Sequence, residues 1–275
     1  MSSVDPNLLD TKLDEIIRET LDEADDELLV INPSNEAIAE FVRVASLYDG
    51  DLPQVSMLAD ERTLKDATDD FKVASKAADL VDEGLLSLRT TDGEQENSLL
   101  ITRDSVVALV AAGTSVGGLT TDRGEFIETA FDTYKDEFQR AEEYTLRTPG
   151  LSRVRQTLSD EIGPDAEADF TNILDSLETA RGDGDGLDEV TISLLVAAKN
   201  EVLLYDISRW GEDVGIASKA TFSRTKTKLE DMGIVDTEKV PIDVGRPRLR
   251  LKFGDDRLKN ADEDQIVSIA QSLLA

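Results

Sequence analysis

Apolar residues recur along this chain in two rhythms, one helical and one strand-like, and their order outlines the fold. Leu9, Leu13, Ile16, Ile17 and Leu21 fall at helical spacing, with Asp5 as N-cap and Pro6 as the first helical residue. The unbroken run Leu28-Leu29-Val30-Ile31 predicts a short buried strand, closed by Asn32-Pro33-Ser34-Asn35 as loop and helix cap. Ile38, Phe41, Val42 and Ala45 then share one helical face, and after the Asp49-Gly50 turn a second strand is expected over Val55–Ala59. Helix, strand, helix, strand favours an α/β sheet. The spacing next predicts one long helix from Glu61 to Glu83, stopped by Gly84. Three further strands are expected at 85–90, 97–102 and 105–111, with Thr91-Asp92-Gly93 as turn chemistry. Residues 113–121 read as a flexible connection into a helix carrying Phe126, Ile127, Ala130, Phe131 and Phe138. Together these make an α/β domain over residues 1–148.

Residues 151–180 predict two more helices parted by Gly163-Pro164, and Arg181-Gly-Asp-Gly-Asp-Gly186 has linker composition. Residues 149–186 are therefore expected to be a helical connector, with the domain boundary near 182–187. Over residues 187–275 the pattern changes. One helix starts at Asp188 with Ile192, Leu194, Leu195 and Ala198; a second covers Leu204 to Val214, and Gly215-Ile216-Ala217 makes a turn. Ser218 caps a third helix that runs to about Met232 before Gly233. Val235–Val240 and Arg248–Phe253 are expected to pair as a hairpin with Pro241–Pro247 as its tip, and Asp262–Leu274 forms an amphipathic helix for core or dimer packing.

Charge singles out one part of this outline. The formal net charge is -30, yet residues 216–252 hold nine Lys and Arg against five Asp and Glu, a local balance of +4 in a remainder of -34. A chain this acidic is repelled by polyanions, so a sign reversal inside a helix-turn-helix pattern points to a nucleic-acid contact surface. The acids elsewhere are spread over every segment, as in a protein kept soluble in concentrated salt, which points to a halophilic archaeon. Most of them are therefore a solvated surface and say nothing about an active site.

Composition also excludes chemistry. Cys and His are both absent, which removes thiolate nucleophiles, imidazole bases, disulfides and the usual zinc ligands. Gly113 to Gly118 lacks the Lys-Ser/Thr of a P-loop and the dinucleotide spacing. Neither a cofactor, a metal nor an enzymatic activity is expected. No apolar run reaches the roughly 18 residues of a membrane span, and the acidic start is unlike a signal peptide, so a cytoplasmic protein is expected.

Turning the third helix by its period puts Phe222, Thr225, Leu229 and Met232 on the buried face. Ala220, Ser223, Arg224 and Thr227 then point outward, flanked by Ser218, Lys219 and Lys228. Small and hydroxylated residues let a helix approach base edges, and Arg224 is the first choice for a bidentate guanine contact. Lys226, at a position where an apolar residue is common, is expected to reach a phosphate. Alternation along the second hairpin strand puts Arg246, Arg248, Arg250 and Lys252 on one face, where they suit a wing that holds phosphates or enters a minor groove.

Gly215-Ile-Ala-Ser-Lys-Ala-Thr-Phe-Ser-Arg224, followed by Leu229-Glu-Asp-Met-Gly-Ile-Val235, resembles the winged helix-turn-helix domains of bacterial and archaeal regulators, whose third helix enters the major groove. The element order before it resembles the phospholipase-D-like sensor domains of TrmB-type archaeal regulators. That activity needs a His-x-Lys motif and this chain has no His, so the resemblance implies a degenerate scaffold for sensing or dimerisation. End to end, the chain resembles the haloarchaeal TbsP regulators, which implies control of central carbon (sugar) metabolism in association with TrmB. A homodimer on double-stranded DNA is the expectation that follows. Any small-molecule effector is expected at strand ends, with Asn32, Ser34 and Asp60 as candidates and capping as their alternative role. The rival overall reading is a winged-helix adaptor that pairs proteins and does not touch DNA.

Overall fold

The structure, a computed structural model, describes residues 7–8, 12–91, 97–113, 115–181, 187–242, 247–261 and 263–274. In chain order the elements are β1 (Asn7–Leu8), α1 (Leu13–Glu23), β2 (Glu27–Ile31), α2 (Asn35–Ala45), β3 (Gln54–Ala59), α3 (Glu61–Thr68), α4 (Phe71–Asp82) and β4 (Leu86–Thr90). Then come β5 (Ser98–Ile101), β6 (Val106–Ala112), β7 (Ser115–Thr121), α5 (Gly124–Arg140), β8 (Glu142–Glu143), α6 (Leu151–Glu161) and α7 (Pro164–Ser176). The chain closes with α8 (Glu189–Lys199), α9 (Leu204–Val214), α10 (Lys219–Asp231), β9 (Val235–Val240), β10 (Arg248–Phe253), α11 (Asp256–Lys259) and α12 (Glu263–Leu274).

Two compact units result: one of Met1–Asp69 with Lys76–Leu146, the other of Asp70–Ser75 with Arg147–Ala275. The first is an α/β unit on one sheet of order β1-β7-β6-β5-β2-β3-β4-β8. β2, β3 and β4 are parallel and joined by helical crossovers, while every other pairing is antiparallel. Strand β2 is apolar without alternation because both its faces are buried. Leu29 and Ile31 pack with Ile127, Phe131 and Phe138 of α5, while Leu28 and Val30, which point the other way, are equally inaccessible.

Several expectations about this unit are corrected. The first helix begins at Leu13, not at Asp5 and Pro6, which lie outside the described residues; Asn7–Leu8 instead pair with Leu119 and Gly118 of β7. Ile16, Ile17 and Leu21 are buried as the spacing requires. Residues 115–121 are a strand, not a flexible connection: β7 pairs with β6 from Val106↔Thr121 to Ala112↔Ser115. A partner strand supplies the hydrogen bonds that two internal glycines make improbable from local propensity. The long helix expected over 61–83 is broken into α3 and α4, though Gly84 does end α4, at φ +74°. The break follows from Asp70, whose carboxylate accepts from the backbone N–H of Lys72 at 2.8 Å and of Ala180 at 3.3 Å and pairs with Arg181 at 3.7 Å.

In the second unit α6 and α7 do not behave as a connector. Val154, Leu158, Phe170, Ile173 and Leu174 join the same core as Leu194, Leu195, Trp210, Phe222 and Leu251. The indole N–H of Trp210 donates to Thr157 Oγ1 of α6 at 3.0 Å. The compact units thus divide at Leu146/Arg147, ahead of the boundary expected near 182–187; residues 182–186 of the expected linker lie outside the described residues. α12 buries Ile266, Val267 and Ala270 in this core and packs on α7, which resolves the choice between core and dimer packing for those three residues. Among the described residues no helix is long and apolar enough to cross a membrane.

Candidate nucleic-acid interface

The interface is built on the corner between α9 and α10. Gly215 ends α9 at φ +99°, a left-handed conformation that favours glycine, and the N–H of Ile216 returns to the carbonyl of Gly211 at 2.8 Å. Ser218 is extended, and its Oγ accepts from the N–H of Thr221 at 3.2 Å, capping α10. Phe222 and Leu229 enter the core, with the ring of Phe222 lying on Gly211. A Cβ at Gly211 would fall 2.3 Å from that ring, so the two helices approach closely only because the position is glycine. Gly211→Ala is expected to destabilise the C-terminal unit by about 1–3 kcal/mol through overpacking, measured by denaturant unfolding; an unchanged midpoint would show that the ring can move aside.

With Phe222 and Leu229 inward, and Thr225 and Met232 partly buried, the opposite face of α10 is exposed. Ser218, Ala220, Ser223, Arg224, Thr227 and Lys228 are all exposed, and Lys219 is half-buried. The guanidinium of Arg224 donates to Thr221 Oγ1 at 3.3 Å, and Thr227 Oγ1 returns to the carbonyl of Ser223 at 3.0 Å. Among the described residues neither Arg224 nor Lys228 forms an ion pair. The helix therefore presents small groups, hydroxyls and two uncompensated cations along one line.

Lys226 does not belong to that face, which corrects its expected phosphate role. It is 8% exposed, and its ammonium donates to Glu230 Oε2 at 2.8 Å. Glu230 Oε1 in turn accepts from Thr237 Oγ1 of β9 at 2.9 Å, so the pair ties α10 to the wing. Lys226 first, and Thr237 second, hold the Glu230 carboxyl below its ordinary range. Burial of the ammonium without this carboxylate would be costly, so the network explains how a lysine occupies an apolar position.

The wing has the expected register, Val235↔Phe253 through Val240↔Arg248, and Leu251 and Phe253 are buried. The N–H of Leu251 reaches the carbonyl of Val202 at 2.9 Å, which anchors the wing on the segment between α8 and α9. Arg248 lies over the ring of Tyr205 at 4.1 Å and pairs with Asp206 at 3.5 Å. Glu238 pairs with Lys252 at 2.5 Å and with Arg250 at 4.0 Å. Arg246 lies outside the described residues. On the α9–α10 corner, Glu212 accepts from the ammonium of Lys219 at 2.5 Å and from its backbone N–H at 3.2 Å. Sequence reasoning misses these acids. One signal for them exists, since Glu238 stands directly opposite Arg250 in the expected hairpin register.

Of the three effector candidates in the α/β unit, two come together. Asn32, at φ +46° after β2, and Ser34, which caps α2 by accepting from the N–H of Ala37 at 3.2 Å, line a cavity of about 930 Å³. Ser98, Leu109 and Val116 line it as well. Asp60 does not line that cavity; it caps α3, accepting from the N–H groups of Arg62 at 2.8 Å and Thr63 at 3.3 Å.

Comparison with protein families matches residues 5–149 to the N-terminal domain, and residues 150–271 to the C-terminal helix-turn-helix domain, of TbsP-like transcriptional regulators. Among curated proteins nothing matches. Solved structures give distant similarities. One is described as TrmBL2, an archaeal chromatin protein with a novel mode of DNA binding: 16% identity, 52% of this chain, 54% of that chain, TM-score 0.39. Another is NucT from Helicobacter pylori: 14% identity, 48% of this chain, 91% of that chain, TM-score 0.34. The match thus spans about half the length of TrmBL2.

Proposed function

This chain belongs to the family of TbsP-like transcriptional regulators, and from that premise we propose that its C-terminal unit reads double-stranded DNA in a sequence-specific manner. In this reading α10 lies in the major groove and the β9–β10 wing rests on the flanking backbone. The observation that carries it is the exposed face of α10, where Ala220, Ser223 and Thr227 permit close approach and Arg224 is neither buried nor ion-paired among the described residues. Ser218, Lys228, Arg246 and Arg248 supply backbone contacts, Lys219 and Arg250 stand beside them paired with Glu212 and Glu238, and Lys226 is reassigned to holding α10 on the wing.

The finer parts of the reading follow from composition and family. We place the protein in the cytoplasm of a halophilic archaeon, as a homodimer on two half-sites that controls central carbon metabolism genes. The α/β unit serves as a sensing or assembly scaffold. A small-molecule effector would occupy the cavity at Asn32 and Ser34, where Lys12 and Glu36 stand beside the apolar wall of Leu13, Leu109 and Val116.

The test is chromatin immunoprecipitation and sequencing of the tagged protein in its native high-salt host, beside an Arg224→Ala/Arg248→Ala double variant. Sharp promoter peaks that vanish in a stably expressed variant are the expected result. No wild-type peaks, with or without sugar, would replace this reading by the protein-pairing adaptor. Peaks that survive in the variant would assign DNA reading to a partner.

A further inference from the structure

Among the described residues, Lys219, Arg248, Arg250 and Lys252 of the interface are already paired with carboxylates of the chain. Lys219 opens α10, where backbone N–H groups lack intrahelical acceptors and the helix dipole favours an anion. The Glu212 carboxylate sits there, taking both the ammonium and the first N–H. One ammonium and one helix-terminal N–H converging on two oxygens is the donor set that a DNA phosphate would meet. Glu238 repeats the device on the wing, where it engages Lys252 and Arg250. Both carboxylates lie at the surface, with side chains 43% and 50% exposed, so neither is required to neutralise a buried charge. Exposed pairs of this kind add little to stability.

We infer that Glu212 and Glu238 act as built-in phosphate substitutes that set the salt response of DNA binding, an inference that rests on the DNA-reading role of α10. A cation held by its own carboxylate brings few counterions to release, so it adds little to the sequence-independent attraction that salt abolishes. Arg224 and Lys228 carry no such carboxylate among the described residues, and recognition then rests on base contacts that survive concentrated salt. Lys219 holds the Glu212 carboxyl, and Lys252 the Glu238 carboxyl, below the ordinary range, so both remain ionised at neutral pH.

Fluorescence anisotropy on the immunoprecipitated site and on a scrambled duplex, between 0.2 and 1 M KCl, tests this with the full chain. Circular dichroism confirms folding at each salt concentration. Glu212→Gln is expected to steepen the slope of log affinity against log salt by about 0.9, the value for one added phosphate contact. That amounts to roughly fourfold tighter binding at 0.2 M with no gain near 1 M. Glu238→Gln should act in the same direction. Lys219→Gln alone should leave the wild-type slope nearly unchanged yet return the Glu212→Gln slope to it. A parallel loss from Lys219→Gln in both backgrounds would reduce Glu212 to a general charge effect and overturn the inference. So would wild-type binding whose slope ignores Glu212→Gln. Absence of wild-type binding on either duplex at every salt concentration would instead overturn the DNA-reading role itself.

Discussion

Phe222→Ala is expected to lower the unfolding free energy of the C-terminal unit by about 3–5 kcal/mol, the cost of deleting a buried aromatic ring and leaving its cavity. Phe222 is fully buried, lies on Gly211 across the α9–α10 corner and shares its core with Trp210 and Leu229. Removing it takes away what seats α10, so binding should fail together with stability. The chain has a single tryptophan, Trp210, which is itself buried in this unit. Its fluorescence in a urea titration at high salt therefore reports this unit directly. A loss below about 1 kcal/mol would mean that neighbouring side chains close the cavity, and that Leu229 carries the seating of the helix.

Arg224→Ala should do the opposite: spare stability and remove recognition. The side chain is exposed and, among the described residues, its side-chain hydrogen bonding is limited to the 3.3 Å bond to Thr221, so the melting transition should stay within experimental error. Loss of a bidentate guanine contact is expected to cost about 1–3 kcal/mol on the native site, roughly 5- to 150-fold in Kd. Binding to scrambled duplex should change far less. Arg248→Ala should weaken all sequences more evenly, because its stack on Tyr205 orients it as a backbone contact and its 3.5 Å pair with Asp206 is looser than the 2.5 Å pairs of Lys219 and Lys252. Equal losses on native and scrambled duplex for both variants would remove the base-reading role from Arg224.

The two effects separate because they come from opposite faces of one helix, and that division is legible in the order of residues alone. A 3.6-residue period assigns Phe222 and Leu229 inward and Ser223, Arg224 and Thr227 outward, and the structure agrees. Lys226 shows the limit of the same reasoning. Its position along the helix is inward, and only the carboxylate of Glu230, itself held by Thr237 from β9, allows an ammonium to stay there. Asn32 and Ser34 show it again: turn chemistry explains their types, but the cavity they share depends on Leu109 and Val116 from the β6–β7 hairpin.

The sequence by itself determined what neighbours a few residues apart decide: the ends of α8, α9 and α10, the Ser218 cap, the turn at Gly215 and the register of the wing. These depend on local periodicity, caps and backbone freedom, whose signals lie within one or two turns of chain. Tertiary structure alone decided that β7 is a strand, that Asp70 divides α3 from α4, and that α6 and α7 pack in the C-terminal core. It also decided which cations of α10 and the wing are held by carboxylates, as Lys219 is by Glu212 and Lys252 by Glu238. Each of these depends on a partner distant in sequence, and a charge or an unpaired backbone group carries no mark of the distant group that will satisfy it.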